Sequence, residues 1–367
     1  MFNLAALLRP HIAALTPYSS ARDEYSGTEG VFLDANENAL GSALPPALAH
    51  GYNRYPDPHQ TALKARLAPL KSVRPDQIFL GNGSDEPIDL LIRAMCRPGQ
   101  DHVLLLPPTY GMYEVSARLN DVAIRRVPLL TPAYQPDLPA VLEAIDAHTK
   151  LIFICSPNNP SGNLIHPAII EAILTAAKTA VVVIDEAYID FADQPSWTTY
   201  LDTCPNLVVL QTFSKAWGLA ALRLGMCFGS PDLIRVLNVI KPPYNISAPT
   251  QTLALEALKQ VAEKDAMVAQ IRQERARLAS ALRQLPTVEE VFASEANFLL
   301  VRFADARATF RQLTDYKVIV RDRSAVIRCE DCLRISVGTP AENARLLAVL
   351  TYLANPTAAQ PIPELAH

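Results

Sequence analysis

The chain has no surplus of positive charge. Its 33 Lys and Arg stand against 37 Asp and Glu, for a formal net charge of -4 over 367 residues. Nucleic-acid binding leaves a basic patch, and nothing here suggests one. The chain also lacks the run of about 18 uninterrupted apolar residues that a membrane helix needs. The start, MFNLAALLRPHIAALTPY, has no basic stretch ahead of its apolar part and is broken by Arg9 and Pro10, so it does not read as a signal peptide. A paired cysteine framework is missing as well. The six cysteines fall at 96, 155, 204, 227, 329 and 332, several of them in apolar runs where cysteine packs as a small hydrophobe. Cys329 and Cys332 form C-E-D-C, but no second pair and no histidines follow at ligand spacing, so no metal is expected. Reduced thiols in the cytoplasm are the expectation. No internal repeat or low-complexity block is present. The tail, rich in Pro and Ala, is expected to be disordered.

What is present suits a large folded protein. Half of the residues are hydrophobic, and the length fits one large domain plus a smaller one. The most informative stretch is Gln211 to Gly225, QTFSKAWGLAALRLG. It follows the apolar run Asn206 to Leu210, short and β-branched enough for a buried strand. Lys215 therefore lies in a loop just beyond a strand end. Arg223 comes eight residues later, leading into a second apolar run, Leu224 to Phe228, and Thr212 and Ser214 add hydroxyls. A lone lysine after a strand is usually a solvated loop residue. A desolvated one has a lowered pKa and a free amine for attack on an aldehyde. An arginine fork beside it suits a phosphate dianion.

Other strand ends carry similar signals. Ile78 to Leu80 reads as a strand, Gly81 to Glu86 as a glycine-containing turn, and Ile88 to Met95 as a helix. Ser84 is a suitable N-cap, with Asp85 and Glu86 in the first turn. A helix N-terminus after small residues can receive an anion, although the turn is neither a Walker loop nor G-x-G-x-x-G. Asp101 to Leu106 reads as a strand ending at P-P-T-Y-G-M-Y, with Tyr110 just past its end. Leu151 to Cys155 runs into Ser156 to Gly162, which is turn chemistry around Asn159. Ala180 to Ile184 is continuously apolar, as in a parallel strand buried on both faces, and ends in Asp185-Glu186-Ala187-Tyr188. A charge just after a buried strand is costly without a partner. Gly83, Tyr110, Asn159, Asp185 and Lys215 thus all follow strands, and open α/β sheets bind ligands at the carboxyl ends of their strands. Further on, Leu233 to Val239 reads as a helix, Ser247 to Leu285 as one or two long helices, and Val318 to Arg323 and Leu333 to Thr339 as strand-bearing segments of a smaller domain.

The string S-K-A-x-G-L-A-x-L-R-x-G at Ser214 to Gly225 resembles the pyridoxal-phosphate lysine signature of fold type I aminotransferases. With Leu15 to Glu24, the N-E-N at Asn36, R-Y-P at Arg54, P-P-T-Y-G-M-Y and D-E-A-Y, the chain is most similar to the histidinol-phosphate aminotransferase branch, over about Leu15 to Thr339. Ala221 and Ala39 depart from the pattern, standing where glycine and proline are common.

That resemblance implies an α/β fold of type I: a large domain with a mostly parallel sheet flanked by helices, plus a smaller α+β domain. The large domain would span 46–255, the arm and small domain 1–45 and 256–355, and the tail 356–367. It implies pyridoxal 5'-phosphate, with Lys215, Asp185 and Tyr188 catalytic. Gly83, Ser84, Asp85, Tyr110, Asn159, Thr212, Ser214 and Arg223 would hold the cofactor, joined by Tyr55 from the other subunit of a homodimer. Tyr18, Asn36, Arg321 and Arg334 would hold substrate, with Glu37 and Asn297 near the pocket. Arg323 and Arg328 are expected to be solvated or paired with an acid. The implied reaction passes an amino group between L-histidinol phosphate and 2-oxoglutarate, in histidine biosynthesis. An aromatic amino acid aminotransferase or a threonine-phosphate decarboxylase-like lyase would share these residues. A non-catalytic regulator on the same fold would need a DNA-binding segment ahead of it, for which there is too little N-terminal sequence.

Overall fold

The computed structural model describes residues 2–16 and 31–355. Tyr18, the rest of its arm to residue 30, and the 356–367 tail lie outside the described residues.

Seven strands form the larger sheet: β1 (Ile78–Asn82), β2 (His102–Leu105), β3 (Ala123–Arg126), β4 (Thr149–Cys155), β5 (Val181–Asp185), β6 (Leu207–Thr212) and β7 (Leu224–Phe228). Their order is β1-β7-β6-β5-β4-β2-β3. Only β7 runs against its neighbours. The other strands therefore all point the same way, and their carboxyl ends share one edge. Because β7 is reversed, its first residue is brought to that same edge, so Arg223 arrives there from the opposite chain direction.

The central strands are apolar through their middle because both faces are covered. In β5 all five residues are buried. Val182 and Ile184 point into one layer with Leu63, Leu67, Ile170 and Ile173. Val181 and Val183 point into the other, with Ile88, Leu91, Ala117 and Leu233. This period-2 split of one continuous apolar run is what a doubly covered parallel sheet requires.

Four antiparallel strands form the smaller sheet: β8 (Val288–Val291), β9 (Phe298–Phe303), β10 (Arg321–Asp322) and β11 (Cys332–Ser336), in the order β10-β11-β9-β8. Leu299, Val301, Phe303, Leu333 and Ile335 meet Leu278, Leu313, Leu346 and Val349 from the helices Val261–Leu282, Ala306–Asp315 and Pro340–Ala354. The opposite face carries Leu300, which joins the core of the larger sheet. The stretch Ser247 to Leu285 is two helices, Ala248–Ala257 and Val261–Leu282. Of Val318 to Arg323, only Arg321–Asp322 is strand, since β10 lies at the sheet edge with β11 as its one partner. The mostly parallel sheet with helices on both faces, and the second smaller sheet, agree with the expected architecture.

Candidate active site

A cleft of about 1050 Å³ opens at the carboxyl edge of the larger sheet and is closed on one side by β10 and β11. Gly83, Ser84, Asp85, Tyr110, Asn159, Asp185, Tyr188, Thr212, Ser214, Lys215, Arg223, Arg321 and Arg334 all line it.

One end is an anion cradle. Gly83 has φ +66, a left-handed conformation that glycine adopts without strain. A Cβ there would stand 2.7 Å from Arg223 Nη2, and one on Gly225 would collide with the Gly83 backbone. Both glycines let the β1 turn and the entry to β7 approach closely. The Asp85–Met95 helix then starts at the cleft. Ser84 occupies the cap position but does not cap as expected: its backbone is already helical (φ -71, ψ -11), and its side chain accepts no first-turn N–H. First-turn donors thus stay open toward the cleft, where the helix dipole favours negative charge. Arg223 reaches Ser214 Oγ at 3.5 Å and Asp85 Oδ2 at 3.5 Å. Thr212 Oγ1 accepts from the Ser214 N–H at 3.0 Å, shaping the same loop.

At the base lies Asp185, 2% exposed, the last residue of β5. Its Oδ2 accepts from the Tyr113 hydroxyl at 2.6 Å and its Oδ1 from the Ala187 N–H at 3.1 Å. Burial raises its pKa, against these hydrogen bonds, which lower it. Tyr113 is fully buried and stacks on Phe153 at 4.7 Å. In the sequence it stands within P-P-T-Y-G-M-Y, where only Tyr110 carries an expected role. Its signal was its place, one helical turn past Tyr110 at the start of a helix packed on the sheet.

Lys215 projects into the cleft and keeps contact with solvent there. The surrounding walls still desolvate it, and this lowers its pKa below the ordinary value, with Arg334 adding to the effect and Asp185 opposing it. Its Nζ stands 5.6 Å from the centre of the Tyr188 ring. Tyr188 is buried edge-on against Phe298 of β9. Tyr110 donates to Asp85 Oδ1 at 3.0 Å and meets Tyr113 edge to face.

The smaller sheet contributes the opposite wall. Arg334 Nη1 donates to Asn159 Oδ1 at 2.6 Å, bridging the two sheets. With its oxygen engaged, Asn159 presents its amide N–H₂ as the free group. Arg321 and Arg334 are directly paired across β10 and β11, so their side chains share a face. Arg323 also lines the cleft, where a solvated or acid-paired residue was expected. Arg328 is exposed, as expected. Asn36 and Tyr55 do not line the cleft of their own chain: both are exposed, and Tyr55 stacks on Tyr244 at 4.4 Å. Ala221 is exposed. The six cysteines are free, and no group of metal ligands occurs among the described residues.

The family pattern of class I and II aminotransferases matches residues 28–350. The chain belongs to this family, within its histidinol-phosphate aminotransferase branch. The histidinol-phosphate aminotransferase of Cytophaga hutchinsonii is 57% identical, over 96% of this chain and 99% of its own. That of Parabacteroides distasonis is 52% identical, over 95% and 98%. A solved structure of histidinol-phosphate aminotransferase from Sinorhizobium meliloti, in complex with pyridoxal-5'-phosphate, superposes with a TM-score of 0.74 at 25% identity, covering 88% of this chain and 90% of its own.

Proposed function

We propose that the cleft uses pyridoxal 5'-phosphate to exchange an amino group between L-histidinol phosphate and 2-oxoglutarate, giving imidazole-acetol phosphate and L-glutamate. One observation carries the reading: a cleft lysine of lowered pKa, a buried carboxylate and an anion cradle meet at one sheet edge, facing arginines that make no ion pair with an acid. The near-full-length likeness to relatives named histidinol-phosphate aminotransferase supports the substrate.

The residues present fit the cofactor. The open helix N-terminus, Ser214 and Arg223 would take its phosphate, and Tyr110 would cover a ring face and exclude water. The buried Asp185 carboxylate, costly where it stands, gains a partner in a ring N–H. Asn159 and Tyr188 would donate to the ring oxygen. When bound, the cofactor supplies an aldehyde for the amino group and an electron-withdrawing ring. Lys215 then serves as the base that takes the proton from the carbon bearing the substrate amine, and as the acid that returns it. Its lowered pKa leaves more of it in the neutral form near neutral pH. Arg334 would hold the α-carboxylate of glutamate, and Arg321 with Arg334 the phosphate of histidinol phosphate.

We further propose that residues 46–255 form the large cofactor-binding domain, with 1–45 and 256–355 as the N-terminal arm and small domain. The protein would act as a cytoplasmic homodimer, in which Tyr55, with Tyr18 and Asn36 of the arm, completes the cleft of a second copy. The test is amino transfer from glutamate to imidazole-acetol phosphate, compared with transfer to phenylpyruvate. Preference for phenylpyruvate would favour an aromatic aminotransferase. Release of CO₂ from threonine phosphate without amino transfer would favour a lyase.

A further inference from the structure

Five arginines line the cleft: Arg126, Arg223, Arg321, Arg323 and Arg334. Three have protein partners. Arg126 pairs with Glu114 at 2.9 Å, Arg223 faces Asp85 at 3.5 Å, and Arg334 donates to Asn159. Arg321 and Arg323 have no side-chain hydrogen bond or ion pair among the described residues. Arg323 is the more demanding case, because its Nε is buried with no acceptor. A buried donor left unpaired is costly and calls for an explanation.

Backbone register shows where Arg323 is aimed. The Arg323 N–H donates to the Cys332 carbonyl at 2.9 Å, which extends the β10–β11 ladder by one residue. Residues 321 and 323 therefore project from the same face, and 334 projects beside them. The intervening Asp322 projects to the other face, where its carboxylate accepts from the Ser324 N–H at 2.8 Å, and it makes no ion pair with Arg323. Like charges press on Arg323: burial lowers its pKa first, then Arg334 and Arg321. Three guanidinium groups crowded on one wall, two of them without acceptors, form a site built for more negative charge than one carboxylate carries.

We infer that Arg323 is a third phosphate-binding residue, one that sets the preference for an amine bearing a phosphate dianion over an amine bearing carboxylates. The inference rests on the transaminase reading above. A phosphate monoester carries close to two negative charges at neutral pH and has three oxygens to saturate, whereas a carboxylate has one charge and two oxygens. Arg321 and Arg334 can serve a carboxylate. The added charge and oxygen of a phosphate call for the third fork, reached by a turn of the Arg323 side chain that also gives Nε an acceptor.

The experiment compares wild type with Arg323→Gln and Arg323→Lys in single-turnover half-reactions, with histidinol phosphate and with glutamate, alongside inhibition by inorganic phosphate. In Arg323→Gln, kcat/KM for histidinol phosphate should fall at least tenfold further than kcat/KM for glutamate, mainly through KM, and inorganic phosphate should inhibit more weakly. Arg323→Lys, which keeps the charge and the ladder but loses the fork, should fall between. Equal losses for both amines, or unchanged phosphate inhibition, would overturn the role of Arg323. Should Arg323→Gln fail to fold, Arg323→Lys decides by the same ratio. Wild type inactive toward histidinol phosphate but active toward other amines would instead overturn the transaminase assignment itself.

Discussion

The Tyr113 hydroxyl donates to Asp185 Oδ2 across 2.6 Å, and both groups are buried beneath the cleft. This bond favours the ionised carboxylate, which burial alone would disfavour. Tyr113→Phe keeps the stack on Phe153 but removes the donor. The Asp185 pKa should then rise. A hydrogen bond to a charged group is worth roughly 1.5–3 kcal/mol, so turnover should fall about ten- to hundredfold. The acid limb of the kcat–pH profile should move to higher pH. An unshifted profile would show that Tyr113 only fills space. Asp185→Asn, which removes the charge itself, should cost at least ~10²-fold, on the scale of a lost preorganised electrostatic group.

Lys215 should be the residue that retains the cofactor covalently. Borohydride treatment of wild type with pyridoxal phosphate should fix it to the peptide holding Lys215, read by mass after denaturation. Lys215→Ala should show no such adduct and should lose about 10²–10⁴-fold in turnover from the missing acid–base group alone. An adduct at another lysine would move the centre of the site.

Glu186, next to Asp185 but facing away from the cleft, gives a stability prediction. It accepts from Ser196 Oγ, the Trp197 N–H and Gln211 Nε2 in a buried pocket. Burial raises its pKa from 4.5 to about 7. Between these values the folded chain holds a proton that the unfolded chain has lost, so this group's stabilisation is full below 4.5 and fades as pH rises through 7. Glu186→Gln removes that titration. Urea midpoints at about pH 5 and pH 7.5 should show wild type losing stability relative to the variant as pH rises. A constant difference would mean that Glu186 stays ionised in the fold.

Much of this was legible in sequence, for reasons visible in particular residues. The run Val181 to Ile184 is apolar at every position because both sheet faces are covered, and Asp185 therefore marked a site at its end. Lys215 and Asn159 stood out in the same way. The reversal of β7, which carries Arg223 to the shared edge, had no local signal, because the Leu224 to Phe228 run looks the same in either direction. Arg323 carries no signal of its own, since a strand arginine is ordinarily solvated or paired with an acid. Its i, i+2 alternation with Arg321 places both on one face, but only the pairing with β11 shows that this face borders the cleft. Asn36 and Tyr55 look identical to ordinary loop residues in one chain, where both are exposed and neither lines the cleft.

The second copy of the proposed homodimer is itself testable. Tyr55→Phe and Lys215→Ala chains, each impaired alone, should regain activity when mixed, because one site of the heterodimer would draw an intact lysine and an intact tyrosine from different chains. Sedimentation should give twice the chain mass. A fully active species at monomer mass would contradict a shared site.

The phosphate of the substrate should decide which amine this cleft accepts. The most direct measurement is kcat/KM for L-histidinol phosphate against unphosphorylated L-histidinol, with the same amine, the same imidazole and the same chemistry at carbon. Losing charge-assisted bonds to at least two arginines, at roughly 1.5–3 kcal/mol each, should lower kcat/KM by ~10² or more for histidinol. Equal values for the two amines would contradict it.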